Sequence, residues 1–189
     1  GPSNATLSLA DDAAGSPQVT TLSGNGNACT ISWTGASNSG FWADPGNWQG
    51  SHAPAATDFA CIAAGQTVFS SSNVTVRGVD SGGQLTITAG TFSLSDATQP
   101  SSFTGLSLTN GTIQNATSIY VRGTGAGFGW TGGVINGGSF TIDASATATI
   151  SGYVDHYLRG VAFTNAGHLS QPDAWILNDY RNPSRLHNA

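Results

Sequence analysis

The chain has no Lys, no Glu and no Met, and only 8% of its 189 residues are charged. An average soluble domain carries about 25%. Surface helices rely on Glu, Lys, Gln, Arg and Met, so the missing residue types argue against a helical bundle or coiled coil. All five basic residues are Arg and all ten acidic residues are Asp, for a net charge of −5. Five Arg cannot neutralise many phosphates, which argues against a nucleic-acid partner held by a basic patch. No run of about 18 apolar residues exists, so no membrane-spanning helix is expected. No signal peptide is visible, and Gly1-Pro2-Ser3 has the look of a tag-cleavage scar. The chain reads as part of a longer protein. Gly-x-Ser-x-Gly is absent, and so is any short His or Cys ligand spacing that would suit zinc.

What is present is small and polar. Gly, Ala, Ser, Thr and Asn fill more than half the chain. Val, Ile, Leu, Phe and Trp nevertheless recur along most of it, and net charge is modest, so the chain is expected to fold. Residues 1–27 read as a lead-in, with Gly/Pro/Asn turn material and a short strand at Val19–Leu22. Residues 28–66 are turn-rich and aromatic. From residue 67 a repeat sets in: Ile87-Thr88-Ala89-Gly90-Thr91-Phe92, Leu108-Thr109-Asn110-Gly111-Thr112-Ile113 and Trp130-Thr131-Gly132-Gly133-Val134-Ile135. Phe163-Thr164-Asn165-Ala166-Gly167-His168-Leu169 reads as a fourth, looser copy, and Thr149-Ile150-Ser151-Gly152 as a degenerate one. Thr88, Thr109 and Thr131 lie 21 and then 22 residues apart. Short β-type runs at this period predict a solenoid whose coils bury their inward residues against one another. The Gly of each copy suits a bend with φ > 0. The expected fold is a right-handed parallel β-solenoid over 67–189, with 28–66 as its N-terminal cap. A β-sandwich of jelly-roll or immunoglobulin type is the alternative.

Three of the five Trp fall in the cap segment: Trp33, Trp42 and Trp48. Cys29 and Cys61 bracket it. A disulfide between them would stabilise the segment by about 3–4 kcal/mol in the chain-entropy model and would agree with a secreted setting. Two buried free thiols are the alternative. The order Trp33-Thr34-Gly35, Phe41-Trp42-Ala43-Asp44-Pro45-Gly46-Asn47-Trp48, Pro54, Asp58, Ile62 resembles a motif of secreted bacterial β-strand-repeat, autotransporter-like surface proteins. The pieces Trp130-Thr131-Gly132-Gly133 and Phe163-Thr164-Asn165-Ala166-Gly167 look like that family's coils. The resemblance spans about residues 31–170. It implies a secreted or surface-displayed β-helix, and it carries no shared catalytic residues.

Three chemistries fit the polar residues. Trp33, Trp42 and Trp48 could form an aromatic platform for a polysaccharide or cell-surface glycan, with Asp44 and Asn47 on its hydroxyls; the same rings could equally close the end of the first coil. Asp44 and Asp58, with Asn47, are the candidates for Ca²⁺, and capping of a turn by those Asp is the plainer reading. Asp155, His156 and Arg159 form the richest polar cluster and are the candidates for a polysaccharide-active lyase or hydrolase. A surface ion pair between Asp155 and Arg159 explains them as well. The expectation is a non-catalytic structural or adhesive module, without a cofactor.

Overall fold

A computed structural model describes residues 2–12, 14–25, 29–179 and 182–189. From Phe59 the chain winds through three stacks of parallel strands in about six turns. The first stack runs Ile31–Ser32, Phe59–Ile62, residues 78–81, residues 101–103, Ser118–Val121, Ser139–Ile142, Ala162–Asn165 and Arg185–Asn188. The second runs Thr67–Ser70, residues 84–87, residues 105–108, Gly127–Trp130, Thr147–Ile150 and His168–Ser170. The third runs Val74–Val76, Thr91–Leu94, Thr112–Asn115, Gly133–Asn136, His156–Arg159 and Ile176–Asn178. The long strands Gly78–Ile87 and Ser101–Leu108 pass from the first stack into the second. Every pairing between these strands is parallel, so the chain is a β-solenoid and not a sandwich. The segment read as a cap already supplies strands of the first stack, at Ile31–Ser32 and Phe59–Ile62.

Alternation along each strand explains the sparse hydrophobic content. Successive side chains point to opposite faces, so a four-residue strand need supply only two inward residues. The register then places like over like. In the second stack Val68, Leu85, Leu106, Phe128 and Ala148 are successive neighbours, all buried. In the first stack Phe140 and Phe163 stack at 5.2 Å with planes 3° apart.

The repeat marks one corner, between the second and third stacks. Ile87, Leu108, Trp130 and Ile150 sit over one another there. The Thr that follows holds the corner down: Thr109 donates through both its N–H and its hydroxyl to Ile87 O, at 2.9 and 3.2 Å. Gly111 has φ +87°, and a Cβ on it would collide with Gly90 O. Gly133 has φ +94°, and a Cβ there would lie 2.5 Å from Gly111 O. Both the backbone angle and the tight stacking therefore demand glycine. The segment beginning at Phe163 is out of phase with these copies. Phe163 belongs to the first stack, over Phe140, and Gly167 turns a different corner. The degenerate copy at Ile150-Ser151-Gly152 holds the true fourth place. Thr/Gly-rich composition serves every corner of such a coil, so sequence similarity alone does not assign the corner.

The predicted disulfide is present: Cys29 and Cys61 are joined, with Cα atoms 5.6 Å apart. In the lead-in, Pro2–Leu9 and Gln18–Asn25 form an antiparallel hairpin that contains the expected strand at Val19–Leu22.

Candidate functional site

The Trp residues close the N-terminal end of the solenoid. Trp33, Trp42 and Trp48 are buried. Trp48 packs edge-on against both others, with centroids 4.9 Å from Trp33 and 4.7 Å from Trp42 and planes 87° and 66° apart. Trp42 in turn meets Phe92, an inward residue of the third stack, at 4.9 Å and 85°. Trp48 Nε1 donates to Trp42 O at 2.7 Å. These rings share no exposed plane. The aromatic platform expected of Trp33, Trp42 and Trp48 is therefore corrected: stacking on a sugar needs an open ring face, and these faces are covered by one another and by the core.

The polar residues of the cap hold its loops. Asp44 precedes the 3₁₀ turn Pro45–Asn47 and accepts from Gly46 N at 2.9 Å. Its other oxygen accepts from Ser39 Oγ at 2.7 Å. The Ser37 hydroxyl lies 2.6 Å from both Asp44 Oδ2 and Asn47 Oδ1, with one proton for the two. These donors, Ser37 first, then Ser39 and Gly46 N, hold the Asp44 carboxyl below its ordinary range. Asn47 is fully buried and donates to Ser39 Oγ and Phe41 O. Asp58 accepts from Thr30 Oγ1 and Ala55 N, both at 2.9 Å. Asp44, Asn47 and Asp58 thus do the work of turn caps rather than facing a ligand or Ca²⁺ together. Among the described residues no group of three His, Cys, Asp or Glu converges on a metal position.

Strand alternation splits the Asp155/His156/Arg159 cluster. His156 points inward and is fully buried, edge-on to Trp130 at 5.0 Å. Its Nε2 lies 3.1 Å from Trp130 O and 3.2 Å from Ser151 O. Both partners are acceptors, which assigns the proton to Nε2. At this corner the imidazole replaces the Thr hydroxyl that holds the corners below. Tyr157 and Arg159 point outward. Arg159 pairs with Asp179 of the next turn at 3.7 Å, not with Asp155. Asp155 accepts from the Tyr157 hydroxyl at 2.9 Å, and that bond raises the Tyr157 pKa above its ordinary value. An acid–base set made of Asp155, His156 and Arg159 is therefore corrected: the strand turns His156 into the core, Arg159 is engaged by Asp179, and Asp155 is engaged by Tyr157.

Arg159 belongs to a recurring device that the sequence alone did not reveal. Arg77 pairs with Asp96 at 3.5 Å and Arg122 with Asp143 at 3.2 Å, again one turn on. Each Arg also lies over an aromatic ring: Arg77 over Phe59, Arg122 over Tyr120 and Arg159 over Tyr157, at 5.6, 4.4 and 5.6 Å. The pattern aromatic-x-Arg at residues 120–122 and 157–159, with Asp about one turn later, was its signal.

Among the described residues, one recess of about 430 Å³ lies beside Cys29 and Cys61 and another on the repeat corner. There Val154, Asp155 and Tyr157 overhang the small residues of the two corners below, Thr109–Thr112 and Gly132–Val134. They enclose a cleft of about 430 Å³. Asp155 is the one earlier candidate that lines it. Comparison with protein-family models, with curated proteins and with solved structures found no match to this chain.

Proposed function

We propose that the chain is a non-catalytic structural module of a secreted or cell-surface protein, a rigid stalk or display scaffold. The observation that carries this reading is the recurring Arg–Asp pair between one turn and the next. In a chain with five Arg, three among the described residues pair with an Asp one turn on and lie within 5.6 Å of an aromatic ring. An exposed pair of this kind is worth only about 0.2–1 kcal/mol, but each ties one turn to the next. The same bracing recurs in the Thr corners and in the disulfide at the capped end. The disulfide supports an oxidising compartment, and the resemblance to β-strand-repeat surface proteins points the same way.

Pulling on the chain termini in an optical trap tests the mechanical role. A stalk unfolds in one or a few steps at high force, and the force drops when Arg122→Ala and Arg159→Ala are combined. Gradual extension at low force, unchanged by those substitutions, overturns the reading. Antibody labelling of intact source cells tests the location, and labelling that requires permeabilisation overturns it.

A further inference from the structure

The geometry points to a second function for the scaffold: the corner cleft under residues 152–155 binds a neutral polysaccharide chain. This goes beyond the structural role and rests on different residues. The corner is tight in the lower turns, where Thr-x-Gly passes directly from one strand to the next. In the last two turns it widens. Ser151–Asp155 and then Gln171–Trp175 make longer connections, and each exposes a large ring: Tyr153 in mid-loop, Trp175 just before the next strand. Tyr153 is 94% exposed and Trp175 78%.

These loops are held, not loose. His156 Nε2 contacts Ser151 O at 3.2 Å, and His156 N donates to Trp175 O at 3.3 Å. Gln171 Nε2 donates to Ala174 O at 2.8 Å. The buried His156 imidazole is therefore a positioning residue for the first loop, and its backbone N–H ties down the second. Val154 lies against Gly132, where a Cβ would come within 2.7 Å of its Cγ2. Side chains larger than Gly would fill the cleft floor.

The lining selects the ligand chemistry. Its polar groups are the hydroxyls and amide of Thr109, Asn110 and Thr112 and the Asp155–Tyr157 pair. No Lys, Arg or His lines the cleft, so nothing there attracts an anion such as a phosphate or uronate. A single carboxylate suits hydroxyl donors better than a cation, which needs several oxygens. Exposed aromatic faces beside hydroxyl-binding groups are the complement of a sugar ring, which has an apolar face and a polar rim. Successive turns repeat at about 4.8 Å, and the register sets Trp175 one turn above Asp155, with Tyr153 two residues before Asp155, so the two rings lie on adjacent turns at the same corner.

Affinity electrophoresis tests this with the whole chain. Gels contain laminarin, xylan, galactomannan or dextran, and alginate serves as the acidic control. The expected result is retardation by at least one neutral polymer and none by alginate. Tyr153→Ala combined with Trp175→Ala should weaken that retardation about tenfold, as loss of stacked aromatic surface predicts. Tyr157→Phe, which keeps the ring and removes the hydroxyl, should weaken it less. Phe41→Ala removes an exposed ring elsewhere and should leave it unchanged. Because Tyr153 and Trp175 are exposed, their variants should keep the parent's circular dichroism and melting temperature. No retardation by any neutral polymer, retardation by alginate alone, or binding indifferent to the Tyr153/Trp175 pair overturns the proposal.

Discussion

The two ends of the solenoid solve the same problem differently. A coil of parallel strands leaves the inward residues of its end turns with a neighbour on one side only. At the N-terminal end, Trp33, Trp42 and Trp48 fill that gap, and Trp42 reaches down to Phe92. At the other end, Leu186 lies over Phe163 in the register but is 55% exposed, and Ile176 and Leu169 are only partly buried. The capped end is built mostly of tight turns, whereas the last turns of the solenoid keep their strands. The ends also differ in the area removed from water, and that decides how much each end contributes to stability.

Substitutions can break this contrast, and the largest effect is expected at the plug. Trp48→Ala should destabilise the fold by about 3–5 kcal/mol, since a fully enclosed ring leaves a cavity on both sides. Chemical denaturation monitored by far-ultraviolet circular dichroism measures it. A loss near zero would mean that the plug covers the end without supporting it. Removing the disulfide with Cys29→Ala and Cys61→Ala should cost about 3–4 kcal/mol. The loss should appear first as weakened protection of amide hydrogens in residues 29–62, while the last turns keep theirs. Leu186→Ala at the open end should cost at most about 1 kcal/mol, because half its side chain is already in water. A larger loss would mean that the two ends are not distinct.

Acid sharpens the comparison in the smallest step. Asp44 titrates below its ordinary value of 3.8 because Ser37, Ser39 and Gly46 N bond its charged form. A depressed carboxylate stabilises the fold above its unfolded pKa, and that contribution is lost as pH falls through the folded value. The cap should therefore loosen below about pH 4, before the last turns do. Tryptophan fluorescence, dominated by the buried cap rings, should report this shift, and Asp44→Asn should flatten it. An identical acid response in the variant would remove Asp44 from the account.

Parts of this architecture were legible residue by residue. Ile87, Leu108 and Trp130 each precede Thr and a Gly, and that spacing marked a stacked corner because only glycine fits there. Cys29 and Cys61 bracketed the Trp segment closely enough to suggest their bond. The Trp rings were ambiguous, since a sugar platform and a core plug call for the same residue type. Asp155, His156 and Arg159 looked like a cluster only because they are near in sequence. The strand His156–Arg159 turns His156 inward and Arg159 outward, Asp155 lies in the loop before it, and Arg159 finds its partner a full turn later.

By itself the sequence determined the class of fold. Without Lys, Glu and Met, and with Thr and Gly recurring at the length of one coil, parallel strands stacked in register are the arrangement that buries so few large side chains. Only the tertiary structure decided which residues meet. Winding brings Arg77 to Asp96, Trp42 to Phe92 and Val154 to Gly132 across a turn of chain. The exact length of each turn sets those encounters. A repeat that tolerates insertions at its corners, as at Tyr153 and Trp175, does not announce them in advance.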